Sequence, residues 1–337
     1  MLTRRRGDIL NIVVGEYIST GMPVSSEAVA RRGLGASSAT IRNEMAELED
    51  AGYLSQPHTS AGRIPLDKAY RHYIESALGE VRLSPTEQRE IRQQFRRAEG
   101  EVDVWARLAA AILARAVRSV AIVTLPKPYE PRLKHLELVS LHEFLALLVI
   151  VLREAKLRQQ MLTLDEAASQ EELSAAAQKL TAACAGLTGV AISALRLQPS
   201  HMEEQVVRAT VQIMRAEEAE DYADPYVDGL RHMLGQPEFA SSRKLAAIVG
   251  LFEQKTLLKS LLPRVGTGEG VRVVIGRENK QEAIRDCSMV VSRYGIPGEV
   301  GGAVGVVGPT RMHYNRAIAS VCFVSSVMSE LVGELYG

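Results

Sequence analysis

The stretch from Ser37 to Pro65 reads SSATIRNEMAELEDAGYLSQPHTSAGRIP, and the rest of the chain is best read outward from it. Ile41, Met45 and Leu48 recur at helical spacing and form one apolar stripe. Ser37 and Ser38 offer side-chain caps at the start of that helix, and Gly52 a stop at its end. With the stripe turned to a core, Ser37, Ser38, Ala39, Thr40, Arg42 and Asn43 are left near the amino-terminal, solvent-facing side. Beyond Gly52, the segment Tyr53 to Pro57, a polar turn through His58, Thr59, Ser60 and Gly62, and a return at Arg63-Ile64-Pro65 predict a short two-stranded ribbon.

Upstream, Leu10, Val13, Val14 and Tyr17 mark a first helix, which ends near Gly21 with Pro23 just beyond. Ser25 and Ser26 are cap candidates for a short second helix carrying Ala28 and Val29, and Gly33 and Gly35 break the chain before the third. After the ribbon, Leu66, Ala69, Tyr70, Tyr73, Ile74 and Ala77 predict one more amphipathic helix. Three helices and a ribbon in this order predict a winged helix-turn-helix. A major groove about 12 Å wide admits one helix, and the third helix of such a motif enters it amino terminus first. Arg42 can pair with guanine and Asn43 with adenine, each through two hydrogen bonds. Ser38 and Thr40, with Ser37 beside them, can donate to phosphate oxygens or base edges, the helix amino terminus attracts phosphate, and the wing tip His58, Thr59, Ser60 and Arg63 suits phosphate or minor-groove contact. Arg4 to Arg6 can add backbone contacts.

The bulk numbers set limits on this reading. Hydrophobic residues make up 46% of the 337 and charged residues 24%, an ordinary globular balance that excludes a disordered chain. Lys plus Arg equals 40 and Asp plus Glu equals 40, so a nucleic-acid footprint must be a local patch on a neutral body. Cys184, Cys287 and Cys322 are odd in number and contain no CxxC pair. This excludes a zinc site or disulfide framework, fits a reducing cytoplasm and predicts three small buried hydrophobes. The longest apolar run, Phe144 to Leu152, falls short of the ~20 residues that a membrane helix needs. No membrane partner, metal or cofactor is expected.

The remaining chain predicts strands at Val120–Leu125, Leu136–Leu141, Phe144–Leu152 and Arg158–Leu164. A mostly helical block over 165–265, including Lys244–Leu262, follows. Strands return at Val271–Ile275, Ser288–Tyr294 and Ala303–Val307, before a last helix from about Met312 to Leu335. Strands, helices and strands again predict an α+β domain with a helical insertion in a multidomain chain. The organisation is 1–78, then 86–164 together with 266–337, with 165–265 inserted. Gly266 to Gly270 lacks the Lys-Ser/Thr ending of a phosphate loop and reads as a plain loop. Thr310 and Arg311 read as a helix start, and Glu278 and Asn279 as a turn after a strand. His135 and His142 lie on strands without metal-ligand spacing. No catalytic constellation can be assembled, so the chain is not read as an enzyme.

The residues SSATIRNEM (Ser37 to Met45), LEDAGYL (Leu48 to Leu54) and QPHTSAGR (Gln56 to Arg63) resemble the heat-inducible transcription repressor family, HrcA. So do Ile275 to Asn279 and Gly308 to Tyr314. Ser25 stands where the family usually has glycine, and Leu66 where it usually has threonine. The resemblance implies a winged helix, a GAF-like α+β domain and an inserted, mostly helical dimerisation domain. It further implies a homodimer that binds an inverted-repeat operator of chaperone operons and prevents their transcription, with the GroE chaperonin keeping it active. Carried over by position, Ser38, Thr40, Arg42, Asn43, His58, Thr59, Ser60 and Arg63 contact DNA. Two other classes stand beside it: a ligand-sensing regulator whose GAF-like domain binds a small molecule, and a winged helix that docks onto protein.

Overall fold

The computed structural model describes residues 2–58, 61–77, 82–98, 100–128, 131–153, 157–196, 198–219, 225–239, 250, 270–279, 281–297 and 299–336. Lys244–Leu262 except Gly250, Gly79 and Gly266–Glu269 therefore lie outside the described residues. The chain forms two compact units. One comprises Met1–Pro126, Ala223–Gly295 and Gly302–Gly337, and the other Lys127–Tyr222 and Ile296–Gly301.

The first unit begins with α1 (Arg4–Thr20), α2 (Ser26–Ala30) and α3 (Ser38–Asp50), then strands β1 (Leu54–Ser55) and β2 (Ile64–Pro65), then α4 (Asp67–Ala77). This is the helix order and two-stranded ribbon of a winged helix. Ile9, Leu10, Val13 and Val14 of α1 meet Val29, Ile41, Met45 and Leu48 in a core from which water is excluded. Ser25, where the family usually has glycine, caps α2 by accepting the Ala28 N–H at 3.2 Å. Leu66 precedes α4 and accepts the Ala69 N–H through its carbonyl at 2.8 Å, but it carries no side-chain oxygen to cap with.

Next come α5 (Pro85–Arg97) and α6 (Val102–Val117). A sheet follows, built from β3 (Val120–Val123), β8 (Tyr226–Asp228), β9 (Val271–Ile275), β10 (Cys287–Ile296) and β11 (Val300–Pro309) in the order β8-β3-β11-β10-β9. Within the second unit, the short β4 (Lys127–Pro128) pairs with Val300 and Gly301 at the start of β11. All ten residues of β11 are buried, the continuous burial of a strand covered on both faces rather than one. One face packs Val120, Ile122, Met289, Val291 and Val307 against Met233 and Phe239 around α10 (Leu230–Leu234). The C-terminal helix, α11 (Tyr314–Tyr336), packs with α6, β9 and α5. By length and composition α11 is apolar enough to cross a bilayer, yet Ala317, Val321, Val324, Met328 and Val332 are buried in this unit.

The sequence reading needs two corrections here. Residues 226–228 form a strand inside the block expected to be helical, pairing with Ala121–Val123. Cys322 is exposed, whereas Cys184 and Cys287 are buried.

The second unit holds a three-stranded antiparallel sheet, β5 (Leu133–His142), β6 (Leu145–Leu152) and β7 (Leu157–Thr163), in that order. It also holds α7 (Gln170–Cys184), α8 (Gly189–Ala194) and α9 (His201–Ala219). Strand β6 alternates strictly between buried and half-buried positions. Its buried side, Ala146, Leu148, Ile150 and Leu152, joins Leu136, Leu138, Leu173, Leu180, Val206 and Met214 in one core. The other side, Leu145, Leu147, Val149 and Val151, stays half-buried beside exposed Val139, Leu157 and Met161. The unit takes in strands that the sequence reading grouped with 86–164, and their apolar side is covered by α7 and α9.

Candidate nucleic-acid interface

Ser37 begins α3 as expected. Its hydroxyl accepts the Thr40 N–H at 3.1 Å and lies 2.9 Å from the Thr40 hydroxyl. Ser38 is half-buried, with its hydroxyl 3.0 Å from that of Ser26 on α2, so it joins the two helices of the helix-turn-helix. The far end of α3 closes with Gly52 at φ 73°, where the Gly52 N–H bonds the Glu49 carbonyl at 2.8 Å and the Tyr53 N–H the Leu48 carbonyl at 2.9 Å. That paired closure requires a left-handed residue, which explains the glycine.

Between these ends the helix is two-sided. Ile41, Met45 and Leu48 are 0% exposed. Arg42 and Asn43 stand in solvent, and no hydrogen bond or ion pair holds either among the described residues. Three of the four acidic residues behind them are engaged. Arg6 of α1 bonds Glu44 at 2.6 Å and pairs with Glu47 as well, and the bond to Glu44 raises the guanidinium pKa further. Glu49 accepts the Gln56 N–H at 2.9 Å through one oxygen and the Arg63 guanidinium at 3.0 Å through the other.

Arg63 is therefore not an outstretched wing cation. Its side chain is only 12% exposed, and its backbone exchanges two 2.9 Å hydrogen bonds with Val24. Gly62 permits that approach, because a Cβ there would sit 2.5 Å from the Val24 carbonyl carbon. His58 is exposed at the ribbon's end, while Thr59 and Ser60 lie outside the described residues. Arg4 and Arg5 are exposed. The structure thus places Ser37, Ser38, Thr40, Arg42 and Asn43 together on the amino half of α3, with His58 on the wing and Arg63 at its stem. The sequence reading missed the two tethers, Arg6 and Glu49; opposite charges in one domain were their only signal.

The late motifs serve other ends. Glu278 pairs with Arg71 of α4, and the buried Asn279 amide donates to the Gly276, Ile284 and Cys287 carbonyls at 2.8, 3.2 and 3.0 Å. Arg311 pairs with Glu238. Thr310 does not cap α11; its hydroxyl donates to the Asp286 carbonyl at 3.0 Å. His135 bonds Glu137 at 2.9 Å, and no metal-ligand cluster occurs among the described residues.

A family description, "HrcA protein C terminal domain", matches residues 103–318. A relative from Dehalococcoides mccartyi (strain CBDB1), "Heat-inducible transcription repressor HrcA", is 44% identical over 338 residues, 100% of this chain and 98% of that one. The chain belongs to the HrcA family. Another HrcA of the same description, from Herpetosiphon aurantiacus, is 43% identical over 345 residues, with 100% and 97% of the two chains covered. A solved structure described as a hypothetical protein is 24% identical, covers 99% of both chains at a TM-score of 0.64, and shows the same fold. HrcA is a family of transcription repressors, which is not an enzyme class. The matched family region begins after the winged helix, so the full-length relatives are what bring residues 1–102 under the HrcA name.

Proposed function

We propose that this protein represses heat-shock operons by seating the amino half of α3 in the major groove of its operator. The observation that carries the reading is the two-sidedness of α3: three fully buried apolar residues hold Arg42 and Asn43 out in solvent, without partners among the described residues. Arg42 and Asn43 read base edges, while Ser37, Ser38 and Thr40 present hydroxyls and the helix amino terminus to phosphate. His58, with Thr59 and Ser60, meets the backbone from the wing. Arg63 was expected to contact phosphate; its bond to Glu49 supports a role in holding the wing stem instead.

The protein acts as a homodimer on an inverted repeat, since two-fold protein symmetry is matched by two half-sites. The half-buried apolar side of β5–β7 supports dimerisation through the second unit, upstream of the block 165–265 in which the dimerisation domain was expected, because large exposed apolar patches mark interaction surfaces. Family membership supports a cytoplasmic location, and the resemblance supports restoration of the active form by the GroE chaperonin.

Gel shifts on promoter fragments of chaperone operons test the reading. The expected result is retardation that weakens steeply with salt, and the Arg42→Ala variant should lose ~1–3 kcal/mol of operator affinity. Failure to retard any such fragment at low salt would overturn the function. Unchanged affinity in the variant would remove Arg42 from the reader face.

A further inference from the structure

Recognition of DNA by α3 leaves unexplained why the segment Ile275 to Glu278, far along the chain, carries so pointed a set of side chains. The structure puts them against α4, the last helix of the winged-helix domain. The Arg71 guanidinium donates to Glu278 Oε1 at 3.1 Å, reaches Glu278 Oε2 as well, and donates to the Val273 carbonyl at 2.9 Å. Glu278 Oε2 also accepts the Ile275 N–H at 2.9 Å, so one carboxylate fastens both its own turn and α4. One turn earlier on α4, Asp67 accepts the Arg277 N–H at 2.8 Å.

Gly276 between them lies at φ 48°, and a Cβ there would fall 2.2 Å from the Asp67 carboxylate. The approach exists because this position has no side chain. Beside these bonds, Tyr70 of α4 and Tyr314 of α11, both buried, pack ring to ring at 5.9 Å, and the Tyr314 hydroxyl lies 2.7 Å from that of Ser288 on β10. A forked guanidinium–carboxylate pair fixes orientation as well as distance, which a single point charge does not.

We propose that Asp67, Arg71, Gly276 and Glu278 are positioning residues that hold the winged helix at one angle on the sheet and thereby set which half-site spacing the repressor accepts. The inference rests on the dimeric reading given above. The latched arrangement does not hide the reader face, since Arg42 and Asn43 are exposed within it. Its effect is on aim, not on access. Each base pair inserted between half-sites turns one relative to the other by about 35°, so a rigidly aimed pair of readers tolerates few spacings.

The test is a gel-shift series on operators whose half-sites are moved apart one base pair at a time through a helical turn, with a single half-site as reference. The parent protein should show a peak, with its best and worst spacings differing by about tenfold or more. Arg71→Ala should flatten that profile to within about threefold while single half-site affinity holds within about twofold; Arg71→Lys, which keeps charge but not the fork, should fall between. Should Arg71→Ala fail to fold, Asp67→Ala removes the acceptor of the Arg277 N–H alone and should flatten the profile in the same sense. A latch variant that keeps the parent's peak overturns the latch and leaves the dimeric reading standing. A parent protein indifferent to spacing overturns both.

Discussion

At the amino half of α3, Arg42 and Asn43 stand open to solvent; at the carboxyl half, Glu44, Glu47 and Glu49 are each held by a bond to a neighbour. One helix of 13 residues thus carries an open end and a tied end. The difference teaches where the domain's positive charge goes. Of the arginines nearest the reader, Arg6 and Arg63 neutralise the helix's own acids. Three of the helix's four carboxylates are thus neutralised inside the domain, which leaves Arg42 and the helix amino terminus as the positive end that the proposed reading offers to DNA.

The comparison can be broken by removing what both ends stand on. Met45→Ala deletes a fully buried side chain beneath the helix and should cost ~2–5 kcal/mol of stability, read by urea unfolding. Both ends should fail together, and a smaller cost with DNA binding retained would mean that the helix does not depend on its core.

A sharper cut touches the open end alone. Arg42→Ala should leave the urea midpoint unmoved and remove ~1–3 kcal/mol of affinity for operator but not for unrelated DNA, measured by competition gel shift. Equal loss on both DNAs would make Arg42 a phosphate contact.

At the tied end, Arg63→Ala should lower stability by about 1 kcal/mol and loosen the wing while the salt dependence of binding keeps its slope. A slope shallower by about 0.9 would return Arg63 to the phosphate backbone. Glu49→Gln should give the same stability loss, and the double variant no more than either alone, because they share one interaction.

The smallest effect belongs to a tether outside α3. Hydrogen bonds from Ser84, then from Arg316, hold the Glu87 carboxyl at about 2, below its ordinary 4.5. A depressed carboxyl stabilises the fold when ionised, so the contribution is whole above pH 4.5 and is lost as pH falls towards 2. Glu87→Gln should remove that acid-limb dependence from a pH series of thermal midpoints.

Much of this was readable beforehand. Ile41, Met45 and Leu48 carry a 3.6-residue period that survives any partner, and Ser37 is a cap by its own chemistry. Strands β6 and β10 were visible because runs such as LALLVIVL fit little else. Ion pairs behave otherwise: Arg63 and Glu49 are 14 residues apart, and nothing in either side chain names its partner before the ribbon folds back. The three residues of β8 are too few to show a period. Nor does chain order tell which side covers β5–β7, since their buried faces are equally apolar whether α7 or another helix lies above.

The stem of the wing is pinned twice, by Val24 across Arg63 and by the close approach at Gly62. The stem therefore keeps its place whatever the length of the ribbon ahead of Gly62. An engineer who lengthens the ribbon ahead of Gly62 should therefore leave the helices beneath in register.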